Sequence, residues 1–215
     1  MATTFDLANL RMEYGLLGLL ESQLDPDPLQ QFRKWLQEAV AHELIEPNAM
    51  TLGTVDADGQ PWTRTVLLKA CDVRGFSFFT NYDSAKGRQL AGEPRCALTF
   101  WWGALERQVN VTGRVEKVPR SETEEYFPKR PLGSRLGAWA SCQSVVLESR
   151  EALERAFEAA KARHGDNPPA PEHWGGYIVR PATIEFWQGR KSRLHDRLSY
   201  TRQPGDGWKI ERLAP

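Results

Sequence analysis

Long apolar runs are missing from this chain of 215 residues. No stretch approaches the roughly 18 to 20 consecutive apolar residues that a membrane-spanning helix needs. The amino end also lacks a basic segment followed by an apolar run, so the expectation is a cytoplasmic protein with no membrane partner. An excess of either charge is absent too, because 28 Lys and Arg balance 28 Asp and Glu. Without a global positive field, nucleic acid drops out as an expected partner, and any anion site has to be built from a local cluster of cations. Cysteine is scarce: Cys71, Cys96 and Cys142 are widely spaced, with no C-x-x-C pair and no neighbouring histidine that would suggest zinc. They read as idle thiols of a reducing compartment. His42, His164 and His173 have no ligand-like spacing either, so no metal is expected. With no P-loop, no G-x-G-x-x-G after a strand and no G-x-S-x-G, nucleotide hydrolysis, Rossmann-type binding and serine-hydrolase chemistry lose their support.

What is present reads as one domain over 1–215, large enough to bury a core without staples, with an N-terminal helical arm over about 1–45. Leu29, Phe32, Leu36, Val40 and Leu44 recur at helical steps, and Asp25-Pro26-Asp27-Pro28 supplies caps and a first-turn proline, which predicts a helix over 28–45. Strands are expected over 49–55 and 61–69, joined by an Asp56-to-Gly59 turn, and again over 75–80, 95–101 and 108–118. Helices are expected over 84–91, over 120–126 with a Ser121-to-Glu124 capping box, and over 149–163 before Gly165. Strands over 177–187, 193–200 and 208–213 close the chain. The fold class is mainly β with helices (α+β), and an antiparallel barrel is the economical way to close so many strands without exposed edges.

Chemistry concentrates in a few clusters. In Arg193-Leu194-His195-Asp196-Arg197, a strand would put Arg193, His195 and Arg197 on one face, beside the flat surface of Trp187 and the tight turn at Gly189. A solvated surface strand would look the same. Arg64 and Lys69 bracket an apolar run, and strict alternation points them to opposite faces. They serve one pocket only if the strand bulges or ends near Lys69; otherwise they serve different anions or snorkel. Thr80 to Lys86 lies where a strand gives way to a helix, a phosphate cradle or an ordinary N-cap loop. Tyr126, Arg130 and Ser134 suit a phosphate monoester, since a guanidinium pairs bidentately and hydroxyls donate to the remaining oxygens. Gln108, Gln143 and Ser144 can hydrogen-bond a heterocycle.

Taken in order, RTVLLK from Arg64, TN-x-x-S-x-K from Thr80, LERQV from Leu105, YF-x-x-RP-x-x-S from Tyr126 with GAWAS, QS at Gln143, WGG from Trp174, EFWQG-x-x-x-RLHDR and the terminal RLAP resemble the pyridoxamine 5'-phosphate oxidase family from about Leu10 to Pro215. The resemblance implies an FMN-binding split β-barrel homodimer with two FMN sites built from both chains. It implies oxidation of pyridoxine or pyridoxamine 5'-phosphate to pyridoxal 5'-phosphate, with O2 as acceptor and H2O2 as by-product. It carries FMN contacts to Arg64, Thr65, Val66, Leu67, Leu68 and Lys69, to Phe79, Thr80 and Lys86, and to Gln108, Gln143, Ser144, Trp187 and Arg197. Substrate contacts fall on Lys69, Tyr126, Arg130, Ser134, Arg193, Leu194 and His195, with Arg193 and His195 as the catalytic pair and Arg11 and Tyr14 as a lid. One departure is Ala85, where the family commonly has an arginine that helps hold the flavin phosphate; Arg88, one helical turn on, is a candidate substitute. The rival readings are another split-barrel flavoprotein and a non-catalytic binder of pyridoxal 5'-phosphate or flavin.

Overall fold

The computed structural model of the protein describes residues 13–15, 18–205 and 207–215. Its helices are α1 (Pro28–Ala41), α2 (Ala85–Gly92), α3 (Arg120–Tyr126), α4 (Leu132–Ala140) and α5 (Arg150–His164). Its strands are β1 (Ala49–Val55), β2 (Pro61–Leu67), β3 (Ala70–Asp72), β4 (Gly75–Asn81), β5 (Arg95–Trp102), β6 (Arg107–Lys117), β7 (Trp174–Gln188), β8 (Asp196–Arg202) and β9 (Trp208–Leu213). The chain divides into two compact units. One takes the described residues up to Pro47 with Phe100–Asn110 and Thr183–Pro215; the other takes Asn48–Thr99 and Val111–Ala182. Among the described residues no helix is long and apolar enough to cross a membrane.

In the second unit the strand order is β2-β1-β5-β6-β7-β4-β3. The β1–β2 hairpin runs in antiparallel register from Ala49 opposite Leu67 to Val55 opposite Pro61. Its turn is set by Asp56, whose Oδ1 accepts from the Asp58 and Gln60 N–H groups, and by Gly59 at φ 82°. Alternation in β1 buries Met50, Leu52 and Thr54, which meet a core containing Phe76, Phe78 and Leu98. At the end of β2 the chain changes partners: the Leu68 N–H bonds the Asn48 carbonyl and the Lys69 N–H bonds the Ser77 carbonyl. That switch ends the strand at Leu67, two residues before the expected 69, and frees Lys69 from the alternation that would have turned it away from Arg64.

In the first unit, Asp27 caps α1 by accepting from the Leu29 N–H, and Pro28 sits in the first turn. The helix stops at Ala41 rather than 45, because Glu43 (φ 54°) and Glu46 (φ 45°) take left-handed conformations. Its apolar stripe seats Phe32 against Phe100 at 4.7 Å between ring centroids, and Trp35 edge-on to Phe186 at 5.1 Å. The later residues of β7 pair with β8, and β8 pairs with β9. Phe32→Ala removes a side chain with no solvent exposure, so it is expected to lower unfolding stability by about 3–5 kcal/mol, read as a drop in the urea midpoint at unchanged slope. A midpoint within error of wild type would contradict this packing.

Two local expectations are corrected, and one helix is added to those expected. The capping box at Ser121 does not form: α3 starts at Arg120 behind Pro119, which presets the entry angle, and Glu124 pairs with Arg120 instead. Leu132–Ala140 forms a helix that is not among those expected. The strand expected over 193–200 begins only at Asp196, because Ser192 (φ 56°) and Arg193 (φ 61°) turn the chain through a 3-10 turn, Lys191–Arg193. The alternation that placed Arg193, His195 and Arg197 on one face therefore fails.

Candidate active site

A cavity of about 880 Å³ opens in the second unit. Among the described residues its lining includes the cations Arg64, Lys69, Lys86, Lys129 and Arg130 and no Asp or Glu, with Lys129 paired to Glu125 at 2.8 Å. Such a set attracts anions. Strand β2 forms one wall through Thr65, Val66 and Leu67. It ends the strand order and pairs with β1 alone, so its outer edge offers backbone N–H and C=O groups to a heterocycle.

The helix start predicted from Thr80 to Lys86 is a built cradle. Ser84 caps α2 by accepting from the Gly87 N–H at 3.2 Å. The Lys86 ammonium donates to Thr80 Oγ1 at 3.2 Å and Gln143 Oε1 at 3.1 Å, both neutral. Burial and then the nearby Arg64 guanidinium pull the Lys86 pKa below its ordinary value, as expected of a cation kept without a counter-charge. Arg64 is held by Thr54, Gln89 and the Leu52 carbonyl, again all neutral acceptors. Arg88 turns back to the Asp83 carbonyl and does not line the cavity, so it does not substitute for a cation at Ala85.

An aromatic group forms the opposite wall. Phe79 stacks on Tyr126 at 4.2 Å and on Trp174 at 5.4 Å between centroids. The Arg130 guanidinium lies 4.4 Å over the Trp174 ring, and its Nη1 is buried with no hydrogen-bond partner among the described residues. Burial depresses the Arg130 pKa and raises that of the Tyr126 phenol. A buried donor without an acceptor is costly, so an anion that offered one would be favoured here.

In the first unit a second cluster gathers around Trp187. His195 packs on the Trp187 ring at 4.6 Å, and Tyr14 meets Trp187 edge-on at 5.7 Å and His195 at 5.8 Å. Gly189 allows this approach, since a Cβ there would stand 2.9 Å from the Tyr14 ring and from Glu106. The Gly15 N–H is tied to Glu106 Oε2 at 2.9 Å. Arg212 pairs with both Asp196 and Glu21, and the Leu19 N–H donates to Asp196 Oδ2, which fixes the segment following Tyr14. The Arg190 N–H donates to His195 Nδ1 at 3.1 Å, so this nitrogen keeps its lone pair and Nε2 carries the proton. Burial and then Arg193 lower the His195 pKa, in keeping with a neutral imidazole.

The cavity thus collects Arg64, Thr65, Val66, Leu67, Lys69, Phe79, Thr80, Lys86, Tyr126, Arg130, Ser134 and Gln143. Leu68 packs into the core and offers only its backbone, while Ser144 is exposed at φ 71° and lines no part of the cavity. Gln108, Trp187, Arg193, Leu194, His195 and Arg197 belong to the first unit with Tyr14. Arg197 pairs bidentately with Glu185. Arg11 lies outside the described residues. The sequence reading gave no site role to Trp174, Asn81 or Lys129, which also line the cavity; for Trp174 the signal was present in the WGG motif.

A family model described as pyridoxamine 5'-phosphate oxidase matches residues 36–164. A second, described as the pyridoxine 5'-phosphate oxidase C-terminal dimerisation region, matches residues 174–215. The pyridoxine/pyridoxamine 5'-phosphate oxidase of Cupriavidus taiwanensis is 58% identical over 209 residues, covering 97% of this chain and 99% of its own. Among solved structures, PhzG from Burkholderia lata in complex with tetrahydrophenazine-1-carboxylic acid matches with a TM-score of 0.88 at 29% identity, covering 95% of this chain and all (100%) of its own. A pyridoxamine 5'-phosphate oxidase-related FMN binding protein from Nostoc punctiforme, at a TM-score of 0.70 and 17% identity over 90% of this chain and 100% of its own, shares the fold.

Proposed function

The chain belongs to the pyridoxamine 5'-phosphate oxidase family, and from that premise we propose how its residues share the work of the reaction. The protein is an oxidoreductase that converts pyridoxine or pyridoxamine 5'-phosphate to pyridoxal 5'-phosphate. FMN is the cofactor in this reading, O2 the acceptor and H2O2 the by-product. The observation that carries it is a cavity whose described lining brings Arg64, Lys69, Lys86 and Arg130 together without a carboxylate, beside aromatic faces and an open strand edge. Those features fit a flat heterocycle bearing one phosphate and a substrate bearing another.

When bound, FMN supplies the two-electron acceptor for the hydride that leaves substrate C4' and passes the electrons to O2. Lys86, Thr80, Arg64 and Gln143 hold its phosphate, and the backbone of Arg64 to Lys69 lines its ring system. Phe79 adds a contact from the cavity wall, and Gln108, Ser144, Trp187 and Arg197, which do not line it, would reach the cofactor only in the proposed dimer. Lys69, Tyr126, Arg130 and Ser134 take the substrate phosphate. Arg193, Leu194 and His195 orient the pyridine ring, so that binding energy is used to set the C4' position, with Tyr14 as a further substrate contact beside His195. The same reading makes the whole chain one split-barrel domain in a cytoplasmic homodimer with two sites; the C-terminal dimerisation region supports the dimer.

Neutral His195 orients substrate through Nε2–H. Protonation at Nδ1 breaks the Arg190 contact, so kcat/KM is expected to fall on the acid side, with a midpoint below the ordinary 6.5 for the imidazole. His195→Gln is expected to lower kcat and to remove that acid limb. Wild-type activity with an unchanged pH profile would rule the role out. The overall reading is tested by giving FMN-loaded protein either phosphate ester in air: pyridoxal 5'-phosphate and peroxide should form in equal amounts. Flavin binding without either product would leave a binding protein.

A further inference from the structure

We propose that Gln89 and Thr54 are positioning residues that hold the Arg64 guanidinium at the cavity as an uncompensated cation, and thereby set the affinity for the cofactor's phosphate. The proposal rests on the reading of this cavity as the FMN site. Arg64 Nη2 donates to Gln89 Oε1 at 2.9 Å, and Nη1 donates to Thr54 Oγ1 and to the Leu52 carbonyl at 3.3 Å. Thr54 is buried at 2% exposure, and its hydroxyl lies 2.6 Å from the same Gln89 oxygen.

The protons can be placed. An arginine donates and never accepts, so Thr54 Oγ1 accepts from Arg64 and its own proton goes to Gln89 Oε1. The Gln89 amide oxygen therefore receives two donors, which fixes the amide orientation and leaves Nε2 facing away. The result is a closed triangle of Arg64, Thr54 and Gln89 in which every acceptor is neutral.

Neutrality is the functional point. A carboxylate at position 89 would hold Arg64 equally well in space, but it would cancel the charge that the cavity uses. Gln89 sits on α2 four residues after Ala85, on the same helix face. Ala85 supplies no cation there, and Arg88 is turned to the Asp83 carbonyl. Lys86 and Arg64 are then the cations at this end, close enough for Arg64 to depress the Lys86 pKa. Keeping them in register without pairing them is the task left to Gln89 and Thr54.

The test is a titration of apo protein with FMN and with riboflavin, which lacks the phosphate, followed by quenching of flavin fluorescence at low salt. Gln89→Glu is expected to weaken FMN binding about tenfold or more, the loss of one charge-assisted contact, with riboflavin affinity unchanged. Gln89→Met, which keeps the bulk but not the acceptor, is expected to weaken FMN by a smaller factor and again to spare riboflavin. FMN affinity at the wild-type level in Gln89→Glu, or an equal loss for both flavins, overturns the proposal while the cofactor reading stands. A folded wild type that binds neither flavin overturns both.

Discussion

Arg130→Ala is expected to raise KM for pyridoxine 5'-phosphate about 100-fold, from the loss of roughly 3 kcal/mol in a bidentate charge-assisted pair, while FMN affinity stays near wild type. The Arg130 guanidinium is held over Trp174 and Phe127 at 4.4 and 5.4 Å, a platform of ring faces that offers its Nη1 protons no acceptor. Its buried Nη1 has no acceptor among the described residues, and burial already works against its charge. An anion that supplies acceptors removes both penalties at once, so the binding energy of the substrate phosphate is concentrated at this residue. Arg130→Lys is expected to recover only part of the loss, since an ammonium is a point charge and cannot reproduce the planar fork. Steady-state kinetics alongside a flavin titration checks both statements. Equal losses in KM and in FMN affinity would move Arg130 to the cofactor.

Lys86→Met carries the second large effect: FMN affinity is expected to fall about 100-fold, with riboflavin affinity little changed, because a phosphate contact to a desolvated ammonium is lost. The apo protein provides an independent reading of the same residue. Lys86 has a folded-state pKa below its unfolded value, from burial first and Arg64 second. Between those two pKa values the unfolded chain binds more protons than the folded one, so the stability of the apo protein rises with pH through that window. At neutral pH the charged Lys86 costs the apo fold stability, and Lys86→Met apo protein is expected to melt at or above the wild-type temperature. A variant that binds FMN normally, or whose apo form melts well below wild type, contradicts a residue kept charged for its ligand.

Much of this arrangement was legible before any coordinates. β1, α3 and β9 fall on the residues that alternation, proline and turn chemistry indicated, since each is governed by local rules. Most of the cavity's basic and aromatic residues also lay in the motifs picked out from the chain. What escaped was decided by contacts distant in sequence or by backbone turns with no strong residue signature. Lys69 joins Arg64 only because its amide switches to Ser77, and Thr54 and Gln89 meet across 35 residues. Arg193 leaves the strand because Ser192 and Arg193 themselves adopt positive φ, where a sequence reader expects glycine or asparagine. Leu132–Ala140 hid behind Gly133 and Gly137, poor helix formers that tertiary packing overrode.

The most direct measurement of the central claim is the absorption spectrum of the FMN-loaded protein, followed as pyridoxine 5'-phosphate is added without oxygen and air is then admitted. Loss of the flavin band on addition of one equivalent of substrate per flavin, with its return and one peroxide per flavin on aeration, is the predicted result. A flavin band that persists through saturating additions of both phosphate esters would contradict the account.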